Sequence, residues 1–454
     1  MRWWPCLLAV LVCLTTAPGG AAAQTCRYEI VPSAGDDLRE LVLDVAISCD
    51  VSLAPADFDL GYGGGRFAEW RADGLGYRIR IGALADARSR QDFTSNPMGV
   101  LSPIDAWLAA PNFKSGVDEL GIVEPAGDIR MLSNLSSGAG GLRLTREDWI
   151  FGGYTVFTRK SPLVVHAPGP AAFDRPGRDG PVRSEIQIAV LDDGFRMTDV
   201  DIAHWIESFA GYVARFWAGF PTDSLLVSIS PGGRLRDPFG RVRGGGGATV
   251  SLRLSTEETP AFLHERDWVL THELIHLAAP FTRGQPPWLM EGMATYLEPI
   301  ILALAGVRTR DAVWAEWLRA MPGGALGIAT EGLSGRGGAY WTGALALLLT
   351  HKEIAEGGSA DGLVRCFRAI RRHLGDASAR APRELLIRVC DRALGQPFLA
   401  NVANRLDDPT IIDMPTLWRS LGVSGDAAGI AYSETGAATR ARMLDPRQLP
   451  RPLR

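Results

Sequence analysis

The stretch Thr271–Glu298, THELIHLAAPFTRGQPPWLMEGMATYLE, carries more chemistry than any other part of the chain. It sets His272 and His276 four residues apart with Glu273 between them, and places Glu291 fifteen residues after the second histidine. On an α-helix, residues four apart lie about 40° apart around the axis and about 6 Å apart along it. Both imidazoles therefore face one side and can reach one metal ion. A catalytic zinc centre takes three protein ligands and keeps one position for water. His272 and His276 supply two ligands and Glu291 is the candidate third. Glu273 is the candidate general base, placed to take a proton from an acidified water. A helix with two histidines and no metal is the competing reading. The apolar positions Leu270, Leu274, Ile275 and Leu277 weigh against it, because a buried helix carrying two histidines and a glutamate needs partners for them.

Outward from this stretch, apolar spacing predicts a helix over Pro260–Ala279 and a second over Pro286–Ala305, where Pro286-Pro287 suits a first turn. Upstream, Glu185–Leu191, Ser224–Ser230 and Ala248–Leu254 read as strands, Asp199–Trp217 as a helix, and Arg241–Gly247 as a glycine-rich loop. Downstream, Asp311–Ala320, Ala339–Ala355, Gly362–His373 and Arg383–Gly395 read as helices. The last part, from about Pro409, mixes Pro, Gly, Asp and Arg and reads as a loosely packed end.

Residues 24 to about 175 have a different character. Short strand-like runs (Glu40–Ser48, Tyr77–Ile81, Gly153–Thr158) alternate with Gly, Pro, Asp and Ser clusters, and no metal-ligand cluster is among them. The glycine-rich run Gly61–Arg66 lacks the Lys-Ser/Thr of a phosphate-binding loop and reads as a turn. His166–Arg183 is rich in Pro and Gly and reads as a linker. The expected organisation is a signal peptide over 1–23, a β-rich domain over 24–175, a catalytic domain over 184–400 and a C-terminal extension over 401–454.

The leader carries Arg2, an apolar core from Leu7 to Leu14 and Ala21-Ala22-Ala23 before Gln24, the pattern of a cleaved secretory signal. Its core is shorter than the ~20 residues a membrane span requires. Four cysteines remain beyond it, as two local pairs, Cys26 with Cys49 and Cys366 with Cys390. Pairing in that way suits an oxidising compartment, secreted or periplasmic; four buried free thiols are the alternative. With 47 basic and 51 acidic residues the formal charge is −4, which gives no support for a nucleic-acid partner. No later apolar run is long enough for a transmembrane helix.

The pair HELIH and WLMEGMATYLE resembles the gluzincins, the thermolysin-like zinc metallopeptidases. The form Trp-Leu-x-Glu-Gly-x-Ala-x-Tyr over Trp288–Tyr296 is similar to their aminopeptidase-like branch, which includes glycyl aminopeptidase-like proteins. The resemblance implies an α+β fold: an N-terminal β-rich domain, then a thermolysin-like zincin domain with a small sheet and a mainly helical lobe. It also implies one Zn²⁺ per chain on His272, His276 and Glu291, with Glu273 as base. Tyr340, in Gly338-Ala339-Tyr340-Trp341-Thr342-Gly343, resembles the tyrosine that stabilises the oxyanion. A helix-start aromatic packed in the core is its other reading. An edge strand runs along the cleft in this fold, and Gly247–Leu254 is expected in that place.

Three features depart from the family pattern. The connection from His276 to Glu291 is shorter than in the best-known aminopeptidases. The cleft strand, GGGGATVSLRL over 244–254, lacks the glutamate that holds a substrate's free amine. Thr295 stands where thermolysin-like enzymes have an aspartate orienting the first histidine. Glu298 and Asp267 are the candidates to replace it, and each also reads as a solvated surface acid. The expected function is hydrolysis of peptide bonds in a peptide or protein substrate. The alternatives are an inactive scaffold with the same fold, or a zinc amide hydrolase on a non-protein substrate. Cleavage from an end or within a chain is left open.

Overall fold

The computed structural model describes residues 24–445, except 89–91, 139–140, 170–182, 267, 283, 336–337, 360 and 427–428. The signal-peptide reading of 1–23 falls outside the described residues, and so does most of the stretch read as a linker. The start of that stretch is strand rather than linker. Leu163–Pro168 (β1) pairs antiparallel with Arg183–Val190 (β2).

Ahead of this hairpin the chain forms β-rich structure, as expected. Gln24–Ser33 runs antiparallel to Val42–Cys49 and parallel to Val117–Val123 in a seven-stranded sheet. Cys26 lies opposite Cys49 in that register, and the two form a disulfide. A second, four-stranded sheet contains Gly99–Pro103 and Tyr154–Thr158. Its residues Leu101, Tyr154 and Val156 share a core with Ala189, Leu191 and Leu226 of the following part.

The second part is built on a five-stranded sheet. β2 pairs in parallel with Ser224–Pro231 (β3), the helix Asp199–Trp217 (α1) making the crossover. Thr198 and Asp201 close a reciprocal capping box at the start of α1. Next along the chain is Phe239–Arg243 (β4), and then Thr249–Leu254 (β5). The spatial order is β1-β2-β3-β5-β4. The edge beside the site is therefore β4, which overlaps the start of the stretch read as a loop, and not Gly247–Leu254. Solvation decides the order. Thr249–Leu254 is buried almost throughout and is paired on both sides, whereas FGRVR is part-exposed and tolerates a free edge.

Helices form most of the rest, apart from the antiparallel pair Val423–Asp426 and Gly429–Tyr432. The single helix expected over Pro260–Ala279 is two, Pro260–Arg266 (α2) and Val269–His276 (α3). Trp288–Leu304 (α4), Arg310–Glu331 (α5), Ala339–Glu356 (α6), Gly362–Leu374 (α7) and Arg383–Leu394 (α8) follow. Cys366 and Cys390 join α7 to α8. The described part of the C-terminal stretch, up to residue 445, is packed, contrary to its composition. Met414–Leu421 and Ala437–Met443 are helical, Met443 and Leu444 are buried, and Arg442 donates to Ala355 O. Among the described residues no helix is long and apolar enough to cross a membrane.

Candidate metal centre and cleft

Every residue of α3 is buried, so its two histidines cannot be a solvated pair. Helix α4 starts at Trp288, immediately after the two prolines, and brings Glu291 back over them. The Nε2 atoms of His272 and His276 stand 3.2 Å apart. Glu291 Oε2 lies 3.3 Å from the first and 3.5 Å from the second. Zinc ligands at ~2.0–2.1 Å in a tetrahedron are separated by about 3.3–3.4 Å, close to the edges of this donor triangle. Three donors, two of them buried, converging at that spacing fit a zinc ion.

The electrostatics point the same way. Burial holds His272 neutral, down to about 4, against the pull of the Glu291 carboxylate. At His276 burial acts in the same sense, but Glu291 and Glu273 outweigh it and raise the pKa. Glu291 itself is held well below the usual carboxylate range: burial pushes it up, and the two histidines overcome that. A cation is what this cluster stabilises.

Glu273 is 7% exposed and turns toward β4. A Cβ built on Gly240 would meet its Cγ at 2.5 Å, so only a glycine there leaves room for this side chain. Burial pushes the Glu273 carboxyl up to about 7, against His276, Arg241 and a hydrogen bond with the Val242 backbone. A carboxyl poised there suits proton transfer near neutral pH.

Tyr340 comes to the same place from the first turn of α6. Its ring stacks on His272 with centroids 5.6 Å apart, and it is 47% exposed, so it opens into the cleft instead of packing in the core. Burial, then the Glu291 and Glu273 carboxylates, push its hydroxyl up to about 12, which keeps the donor proton in place. Trp268 also meets His272, edge-on, with ring centroids 5.5 Å apart. Helices α4 and α6 cross through two glycines. A Cβ on Gly292 would meet Gly343 C at 2.4 Å, and one on Gly343 would meet Trp288 O at 1.9 Å.

Thr295 and Glu298 continue the stripe of α4 that begins at Glu291. Both are buried, and both line a cavity of about 1130 Å³ that opens onto His272 and Tyr340. Glu298 is not the solvated acid its sequence position suggests: Arg308 pairs with it at 3.1 Å. Asp267 lies outside the described residues. Sequence reasoning missed Gly240, Arg241 and Trp268. The alternation in FGRVR ahead of four glycines is the signal that marks a strand and its turn.

No protein-family model matches the chain, and no curated protein matches it. Solved structures do. An aminopeptidase N family protein from Idiomarina loihiensis superposes with a TM-score of 0.60 at 12% identity, over 90% of this chain and 82% of that one. A variant of an M1 zinc metallopeptidase from Deinococcus radiodurans superposes with a TM-score of 0.48 at 13% identity, over 87% of this chain and 95% of that one. The first likeness establishes the fold. This chain has the α+β, gluzincin aminopeptidase-like architecture, with β-rich structure ahead of a mainly helical lobe.

Proposed function

We propose that this protein is a zinc-dependent peptidase that works outside the cytoplasm. The observation that carries the proposal is the donor triangle of His272, His276 and Glu291, with edges of 3.2–3.5 Å, beside a buried carboxyl and an exposed phenol. A zinc ion held there supplies Lewis acidity to a substrate carbonyl and acidifies a water. Glu273 accepts a proton from the attacking water and passes it to the leaving amine. Tyr340 donates a hydrogen bond to the carbonyl oxygen as charge develops on it. Strand β4 offers a free edge along which an extended peptide pairs. The similar structure from Idiomarina loihiensis is described as an aminopeptidase N family protein, which supports a peptide substrate. The leader sequence and the two disulfides support export.

Metal analysis of the purified chain, joined to a peptide-library cleavage assay, tests this reading. One zinc per chain and chelator-sensitive cleavage are expected. Glu273→Gln should keep the metal and lose about 10²–10⁴-fold in kcat. A chain that binds no metal, or holds zinc and cleaves no peptide, overturns the peptidase reading; the latter result is the one a scaffold or a zinc amide hydrolase on another substrate gives.

A further inference from the structure

The cavity beside His272 is more than an opening to the metal ligands. Its wall is built by a stripe of α5, where Ala312, Ala315, Glu316, Arg319 and Gly323 face it, and by Thr295 and Glu298 of α4. The small residues of α5 make the space. Trp268, Tyr340 and Trp341 supply aromatic wall near the mouth. Glu298 is seven residues beyond Glu291 on one helix, so it stands roughly 10 Å deeper along the axis. A short side chain cannot reach that depth from a backbone held at the metal ligands; a long one can.

Charge separates by depth. The inner groups are Glu298, Arg308 and Glu316. Arg308 joins the two carboxylates, with Nη2 at 3.1 Å from Glu298 Oε1 and Nη1 at 3.0 Å from Glu316 Oε2. One guanidinium thus serves two carboxylates. Glu265 and Arg319, both exposed, also line the cavity, and its three glutamates and two arginines sum to a formal charge of −1. Burial raises the Glu316 pKa, and the Arg308 and Arg319 guanidiniums act against it. Thr295 also lines the wall, with its hydroxyl buried.

We propose that this cavity is a specificity pocket for a basic side chain, lysine or arginine, on one residue next to the scissile bond. The alkyl stem lies against Trp341 and Tyr340, where aromatic faces favour both the stem and the cation. The cationic head meets Glu316, the more accessible of the two carboxylates that Arg308 joins. The proposal rests on the zinc-peptidase reading and adds the class of substrate to it.

The test uses the full-length zinc-loaded protein and peptides of one sequence with lysine, norleucine or glutamate placed in turn on each side of the cleaved bond. Norleucine keeps the stem and removes the charge. At one of the two positions kcat/KM for lysine should exceed that for norleucine by at least tenfold, with glutamate poorest. Glu316→Gln should shrink the lysine-to-norleucine ratio several-fold, a comparison made within one variant and so independent of how much of it folds. The same three peptides are also titrated by fluorescence anisotropy against the zinc-loaded Glu273→Gln variant, which reads binding without turnover. Cleavage with no preference for lysine at either position overturns the pocket and leaves the peptidase reading standing. Preference for glutamate overturns it too and assigns the pocket to Arg319. No cleavage together with tighter binding of the lysine peptide removes the peptidase reading and keeps the pocket. No cleavage and equal binding removes both.

Discussion

Tyr340 reaches the candidate metal ligands from a helix far along the chain, and its proposed role can be separated from theirs. Removing only its hydroxyl leaves the ring that stacks on His272, so the donor triangle is kept. Tyr340→Phe should therefore retain zinc and lower kcat by about 10²–10³-fold with a smaller change in KM, as for loss of one oxyanion donor. Steady-state kinetics with metal analysis on the same sample check this; an unchanged kcat would return Tyr340 to a packing role. At this scale the sequence was most legible. HELIH and WLMEG mark the candidates His272, His276, Glu273 and Glu291: local helix geometry puts the two histidines on one face, and the return of α4 brings Glu291 to them. Thr295 and Glu298 were not legible. Whether a polar residue on such a helix meets solvent or a cavity depends on what packs opposite, here Arg308 and α5.

Helices and strands set how well those residues meet. The α4–α6 crossing depends on Gly292 and Gly343, and an added methyl at Gly343 has nowhere to go, with Trp288 O at 1.9 Å. Gly343→Ala should destabilise by about 1–3 kcal/mol, the usual penalty of overpacking. It should also lower kcat, because α6 carries Tyr340. Thermal unfolding and kinetics on one preparation check both effects; wild-type stability would mean that the helices slide apart without strain. The same helix pair holds a second titrating group, away from the metal. His351 of α6 lies 3.0 Å from the Tyr296 hydroxyl of α4, and complete burial lowers its pKa from 6.5 to about 3. Below pH 6.5 the unfolded chain takes up a proton that the folded chain refuses. This contribution to stability is therefore full above pH 6.5 and falls by about 1.4 kcal/mol per unit as the pH drops toward 3. Chemical unfolding measured from pH 7.5 to 4.5 should show that slope, and His351→Gln should flatten it. Equal slopes for the two proteins would exclude His351 as its source.

Across the whole molecule the N-terminal β-structure holds the edge strand of the cleft. Arg243 of β4 donates to Gly152 O, to the Tyr62 hydroxyl and to Asp105, while Arg241 pairs with Asp92 at 2.8 Å. The Arg243 and Asp105 side chains are both about one-tenth exposed. Asp105→Asn leaves a buried guanidinium without its counter-charge and should destabilise by about 3–5 kcal/mol. It should also lower kcat/KM, since β4 carries Gly240 against Glu273. Asp105→Leu combined with Arg243→Met should recover part of the stability, because a packed apolar pair needs no counter-charge. Calorimetry of the three variants decides, and a stable Asp105→Asn variant would show that the pair does not hold the strand. By itself the sequence determined the local cysteine pairs and the two-part β-then-helical order, and it singled out the candidate ligands and the candidate base. Each of those rests on spacing within a few turns or on composition over tens of residues. Only the tertiary structure decided which strand forms the cleft edge, that the C-terminal stretch up to residue 445 packs, and that Glu298 and Glu316 share Arg308 at the inner end of a cavity. Those outcomes depend on contacts between segments far apart in the chain, where burial and pairing override what each segment prefers alone.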